Sequence, residues 1–277
     1  MVGEIRRKQI CDLLKKNSAV TTLALSKQFG VSIETIRKDL LKLENENELE
    51  RVHGGAVLKS AIKKHISFPR RLESMVDEKK EISHIAASFI KNGDVIAIDA
   101  GSTAAEFIRV IMDYFDTLTI VTHSVDVFEA VRDYKNYEII LCGGFYLKGE
   151  NSFYGDFVLN TLDNLRVEKA FIFPAAISLK NGICDFTREL SQIQKKIISC
   201  ANEIFVVADS SKYEKSALLK SGDMNKNFYY ITDSKLPREI KEIYKENEIK
   251  LITETNNISS DNKILEEKDG NSSEVDR

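Results

Sequence analysis

The stretch FGVSIETIRKDLLKLENENELERVHGGAV, residues 29–57, decides how the N-terminal part of the chain folds. Gly30 and Val31 form a tight turn and Ser32 is a good helix N-cap. Ile36, Leu40 and Leu43 then repeat at the spacing of one buried helical face. At about 100° per residue, that face leaves Glu34, Thr35, Arg37, Lys38 and Lys42 directed away from the core. Upstream, Leu23, Leu25 and Phe29 mark a short helix stopped by Gly30, and Ile5, Ile10, Leu13 and Leu14 mark a first helix ending near Asn17. Downstream, Leu49–Val52, a Gly54-Gly55 turn and Ala56–Leu58 read as a hairpin wing. Two short helices about a tight turn, the second with a cationic outer face, form a helix-turn-helix whose second helix can enter a major groove. The candidate DNA contacts are Ser32, Glu34, Thr35, Arg37, Lys38 and Lys42 on that helix. The wing adds Arg51, His53 and Gly54, placed to touch phosphate or minor groove.

Charge agrees with this when counted by segment. The chain of 277 residues has 40 Lys+Arg against 43 Asp+Glu, a formal charge of -3, which excludes a uniformly basic coat for nucleic acid. Residues 1–60 nevertheless carry +3, from 11 basic and 8 acidic side chains, and a local field depends on such distribution. No apolar run reaches the roughly 18 residues of a membrane helix, and MVGEIRRKQICDLLKK lacks the apolar centre of a signal peptide. A cytoplasmic protein with no membrane contact is expected. Cys11, Cys142, Cys184 and Cys200 never fall at CxxC spacing, so free thiols are expected, with no metal and no cofactor.

Residues 61–80 are polar and charged, with Pro69 interrupting any helix, and read as a linker leading into a helix that separates two modules. Across 81–252, amphipathic stretches alternate with apolar runs: DVIAID, LTIVTHS, YEIILCGG, KAFIFPAA, EIFVVAD, FYYITD and IKLITE. That alternation predicts an α/β domain with a mostly parallel sheet covered on both faces. Residues 253–277 are Asn/Ser-rich and polar and should be disordered. The expected organisation is therefore a winged helix-turn-helix domain at 1–60, a linker, a Rossmann-like α/β domain and a tail.

In DVIAIDAGSTAAEFIRVI (94–111) an apolar strand ends at Asp99, and Gly101, Ser102 and Thr103 make a small-residue turn into a helix. Backbone N–H groups, two hydroxyls and the positive helix end suit a phosphate, although the same turn also serves as an ordinary cap. Other strand ends contribute His123 and Ser124, Gly143 and Gly144, and Lys212; open α/β sheets bind ligands at such ends.

The 29–57 run resembles the DNA-binding signature of the DeoR family of bacterial transcriptional regulators, VSxxTIRxDLxxLE followed by RVHGGA. Asn47 stands where that family usually has Gly after the recognition helix; Asn tolerates a left-handed cap. Residues 68–235 resemble the family's effector-sensing domain through FPRRLE (68–73), DAGSTA (99–104), Thr122 with Ser124, CGG (142–144), GDFVLNTL (155–162), EKAFI (168–172), NGICDFTRE (181–189) and DSSKY (209–213). The resemblance implies a fold similar to sugar-phosphate isomerases of the ribose-5-phosphate isomerase type. It also implies a phosphorylated sugar or related metabolite as effector, with Asp185 and Lys195 joining the site residues. A homo-oligomeric repressor, dimer or tetramer, on a double-stranded DNA operator follows from the same likeness. Phe173 and Ala176 replace two family glycines, Leu190 and Gln194 replace an acidic and a basic residue, and His123 replaces the usual Asn.

A sugar-phosphate isomerase is the competing reading, with Asp99, Asp209 or Glu189 as base and Lys212 as electrostatic stabiliser. The N-terminal module, which such an enzyme does not need, argues against it.

Overall fold

The computed structural model describes residues 3–17, 19–58 and 66–254. The N-terminal module contains α1 (Gly3–Asn17), β1 (Ala19–Thr21), α2 (Thr22–Phe29), α3 (Ile33–Asn45), β2 (Leu49–Val52) and β3 (Gly55–Leu58). Gly30 caps α2 in the left-handed region at φ 61°, and Ser32 Oγ accepts the Thr35 N–H at 3.1 Å to start α3. Asn47 takes φ 64°, the left-handed role its position after α3 demands. Ile36, Leu40 and Leu43 are buried with Ile10, Leu14, Leu25 and Leu49, so the three helices close on their own core. Two details differ from expectation. The turn is His53-Gly54, with Gly55 already paired to Val52, and β1 adds a third strand antiparallel to β3. A three-residue strand between two helices is too short to show a period of two.

The second module contains α4 (Phe68–Glu73), α5 (Val76–Ala87), β4 (Val95–Ile98), α6 (Ser102–Tyr114), β5 (Leu118–Thr122), α7 (Val125–Val131) and β6 (Tyr137–Leu141). It continues through β7 (Phe145–Leu147), β8 (Ser152–Tyr154), α8 (Asp156–Asp163), β9 (Val167–Ile172), β10 (Ala176–Ser178), β11 (Gly182–Asp185), α9 (Arg188–Cys200) and β12 (Ala201–Val207). Last come β13 (Leu219–Gly222), β14 (Tyr229–Ile231), α10 (Arg238–Glu246) and β15 (Lys250–Ile252). Pro69 does not interrupt a helix; it sits in the first turn of α4, where the missing N–H costs nothing.

Seven parallel strands run in the order β15-β14-β12-β9-β4-β5-β6, and they are the seven apolar runs of the sequence. One face carries Ile96, Ile98, Phe205 and Val207 against α5, α6 and α7; the other carries Ala97, Ala170, Ile204 and Val206 against α8, α9 and α10. Burial on both faces is why these strands read as continuous rather than alternating. The chain leaves β4 toward β5 and β6, then returns to the other side of β4 as β9. The strand order therefore reverses between β4 and β9, which makes a crevice at their carboxyl ends. No described helix is long and apolar enough to cross a membrane, and among the described residues the cysteines are free thiols.

The modules are not held apart by the connector. Ala19 of β1 and Val57 of β3 share one core with Ile240, Ile243 and Tyr244 of α10. Asn247 Nδ2 donates to the His53 carbonyl at 3.1 Å, and Lys180 pairs with Glu50 of β2 at 3.3 Å. Residues 59–60 at the end of the expected DNA-binding domain, 61–65 of the expected linker and 255–277 of the expected tail lie outside the described residues.

Candidate functional site

The outer face of α3 is open. Glu34, Arg37, Lys38 and Lys42 are exposed, and Arg37 Nη1 is 3.7 Å from Glu34 Oε2 with both side chains more than half exposed. A pair this solvated is worth little and exchanges readily for a phosphate or base edge. Ser32 and Thr35 are engaged in the cap, their hydroxyls 2.9 Å apart. Position 39, next to the packing face, holds a residue the sequence reading missed. Asp39 is buried and accepts Arg6 Nε at 2.6 Å and Arg7 Nη1 at 3.4 Å, locking α3 onto α1. An aspartate within a charged run looks like surface by type; its spacing from Ile36 was the available signal.

The wing is divided. Arg51 is exposed, and its backbone N–H donates to Glu44 Oε1 at 3.0 Å. The His53-Gly54 turn instead meets α10, where the Glu246 carboxylate fills the space a side chain at position 54 would need.

At the strand-order reversal lies a cavity of about 280 Å³ lined by Gly101, Ser102, Thr103, Phe173, Pro174, Ala175, Asp209, Ser211 and Lys212. Its remaining wall comes from the connector: Ile66, Arg71, Ser74, Met75 and Lys79. Gly101, at φ 137° and ψ 171°, holds a conformation that L side chains rarely adopt, and α6 starts there without a side-chain cap. The first-turn N–H groups and the helix dipole thus face the cavity as an anion site. Arg71 is already paired with Glu150.

Below the cavity floor is a buried polar network. Asp99 Oδ1 is 3.0 Å from His123 Nε2, whose Nδ1 lies 2.9 Å from the Phe153 carbonyl. Asp99 Oδ2 accepts from Gln194 Nε2 at 3.0 Å and from the Phe173 N–H at 3.2 Å. The same Gln194 Nε2 donates to Asp185 Oδ2 at 3.0 Å, while Gln194 Oε1 is buried without a partner. Burial pushes the Asp185 carboxyl up to about 6, with Asp99 adding to the rise. Gln194 stands where the family resemblance expects a basic residue, so this carboxylate pair lacks the cation that would hold both charges.

Of the site residues expected from sequence, Gly101, Ser102, Thr103 and Lys212 come together at the cavity. Asp99, His123 and Asp185 lie in the buried network beneath it. Ser124 is buried and caps α7, its Oγ accepting the Val127 N–H at 3.3 Å. Gly143 and Gly144 line a different, open cleft with Phe145, Phe157 and Asn160, because β6 is an edge strand away from the reversal. Lys195 is exposed on α9, one residue past inward-facing Gln194. Arg71 and Lys79 were missed: in a run of mixed charge nothing in the sequence marks a buried lysine.

Comparisons with known proteins agree with both modules. Residues 6–61 match the family model for the DeoR-like helix-turn-helix domain, and residues 74–234 that for the DeoR C-terminal sensor domain. The chain is 33% identical over 239 residues to the HTH-type transcriptional repressor GlcR of Bacillus subtilis (strain 168), covering 86% of this chain and 91% of that protein. It is 32% identical over 237 residues to the HTH-type transcriptional regulator YulB of the same organism, covering 85% and 91%. Identity to the glycerol-3-phosphate regulon repressor of Escherichia coli (strain K12) is 26% over 246 residues, covering 89% and 97%. Ribose 5-phosphate isomerase A of Methanocaldococcus jannaschii is a distant structural neighbour, with TM-score 0.37 and 22% identity over 50% of this chain and 54% of that one. The relatives matched over most of the chain are regulators and not enzymes. The chain belongs to the DeoR family of transcriptional regulators.

Proposed function

We propose that the chain is a cytoplasmic repressor, acting as a homo-oligomer on paired operator half-sites, whose DNA affinity is set by a small phosphorylated sugar or related metabolite in the 280 Å³ cavity. The observation that carries this reading is the meeting of the uncapped α6 N-terminus with Lys79 and Lys212 around one cavity at the strand-order reversal. The volume falls just below the roughly 300–1,000 Å³ range of small-molecule sites, which favours a compact, singly phosphorylated ligand. Phe173, packed on Phe107 at 5.8 Å between ring centroids, takes space a glycine would leave open. The names of the transcriptional repressor GlcR and of the glycerol-3-phosphate regulon repressor support the repressor sense, and the second supports a link to a small phosphorylated metabolite. The candidate DNA contacts are Ser32, Glu34, Thr35, Arg37, Lys38 and Lys42, with Arg51 from the wing. An effector acts on them only by binding DNA-competent and incompetent arrangements differently.

A thermal-shift screen of phosphorylated sugars on the full chain tests this, since a ligand at 100 times its Kd stabilises by roughly 2.7 kcal/mol. Hits should then release the chain from DNA of its own promoter region in fluorescence anisotropy. Gly101→Val should abolish the thermal shift and the release, because a branched side chain at φ 137° rebuilds the turn that presents the N–H groups. Retention of the full shift by this variant would place the charged group of the ligand elsewhere.

A further inference from the structure

Among the described residues no carboxylate pairs directly with the buried ammonium of Lys79; Asp209 and Glu106 act on it from a distance. Lys79 is 4% exposed, and its ammonium donates to two neutral carbonyls, those of Arg71 and of Ser74, the second at 2.6 Å. An ammonium has three donors, so one remains for the cavity that Lys79 lines. Burial lowers its pKa; Asp209 across the cavity and Glu106 work against that shift, while Lys212 and Arg71 reinforce it. Holding a cation out of water beside other cations is costly, and the cost falls when an anion arrives.

The two carbonyls it holds form the turn by which the connector meets α5. Arg71 is in α4, Ser74 ends it, and Met75 then takes φ 52°, a left-handed conformation unusual for a non-glycine residue. The turn is tied further by Ser74 Oγ donating to the Arg71 carbonyl at 3.2 Å and the Lys79 N–H donating to the Met75 carbonyl at 3.0 Å. The chain arriving from β3 must pass through this turn to reach the sensor sheet.

We propose that Lys79 is the cation that recognises the effector's phosphoryl group and, through the carbonyls of Arg71 and Ser74, couples occupancy of the cavity to the connector from the DNA-binding module. The proposal rests on the effector reading of the cavity; it adds which residue reads the anion and how occupancy reaches the DNA. A phosphoryl oxygen accepting the third N–H completes the set of acceptors on the ammonium, so that one side chain holds the ligand and both carbonyls of the turn together. A state with a different Ser74-Met75 turn places the ammonium differently and so binds ligand differently. The unphosphorylated sugar cannot draw on the same charge.

The test is calorimetric titration of the full chain with glucose 6-phosphate, fructose 6-phosphate and glycerol 3-phosphate, with glucose, fructose and glycerol as controls. The phosphorylated probe that binds most tightly is then used on Lys79→Met and Lys79→Arg. Lys79→Met should weaken binding at least about 20-fold, as expected for loss of a hydrogen bond to a charged group, and Lys79→Arg less than about fivefold. In the unmodified protein the same probe should slow hydrogen exchange of amides 71–79 as well as those at 101–105; this measurement decides the matter if Lys79→Met does not fold. Unchanged affinity in Lys79→Met, or protection confined to 101–105, overturns the role of Lys79 while leaving the effector site standing. Failure of every phosphorylated probe to bind the unmodified chain removes the effector site and this proposal with it.

Discussion

Replacing Arg37 and Lys38 together with alanine is expected to weaken operator binding by roughly 30-fold or more while leaving Tm almost unchanged. Both side chains are exposed on the outer face of α3, and Arg37 pairs with Glu34 at i,i+3 in a solvated contact. A good base-edge contact is worth about 1–3 kcal/mol, so two such contacts set the scale of the loss; a phosphate contact would instead lower the salt slope by about one unit each. Asp39→Ala is the contrasting variant on the same helix. It removes the buried carboxylate that ties Arg6 and Arg7 of α1 to α3, and removing one side of a buried ion pair is destabilising. That variant should lose DNA binding by losing the fold of the module, seen as a drop in Tm. Should the Arg37/Lys38 double variant keep both affinity and salt dependence in anisotropy titrations, α3 is not the reader.

Glu214→Gln should flatten the pH dependence of stability. Glu214 is 2% exposed; its Oε1 accepts from Tyr244 Oη at 2.7 Å and from the Leu179 N–H at 3.2 Å, and its Oε2 is buried without a partner. Burial raises its pKa from 4.5 to about 7, with the neighbouring Glu50 of the wing adding to the rise and Lys215 opposing it. A raised carboxyl is a protonated carboxyl in the fold. Its contribution is fully present below about pH 4.5 and is lost as pH climbs through about 7. The shift corresponds to roughly 3 kcal/mol. Glutamine keeps the acceptor for Tyr244 and Leu179 and never ionises, so the variant should gain Tm over the unmodified chain at pH 8 and lose the difference by pH 5. Asp185, raised to about 6, leaves a smaller slope of the same sign in both proteins. Parallel Tm profiles between pH 5 and 8 would mean Glu214 is already ionised in the fold. Because Glu50 belongs to β2 and pairs with Lys180 of the sensor domain, part of this pH dependence is seated where the two modules touch.

Much of the architecture was local in origin and so was legible. The face of α3 follows from Ile36, Leu40 and Leu43 alone, its start from Ser32, and the end of α2 from Gly30. All seven strands of the large sheet stood out because both their faces are buried, which forces unbroken apolar runs. The Gly101-Thr103 turn was legible because backbone conformation and helix start are set within five residues. What the sequence could not determine is which distant segments meet. Residues 71–79, 101–103, 173–175 and 209–212 line one cavity only because the strand order reverses between β4 and β9. Gly143, Gly144 and Lys195, as plausible by type, fall outside it, since an edge strand and a one-residue step along α9 carry them away. Burial decided the rest. Lys79 and Asp39 look like surface charges in a charged run, and His53-Gly54 like a free wing tip, until packing takes the first two out of water and sets α10 against the third. Charge and hydrogen-bonding capacity are properties of a residue type, whereas desolvation and partnership belong to the folded arrangement, and those are what take a lysine out of water and turn a wing into a domain contact.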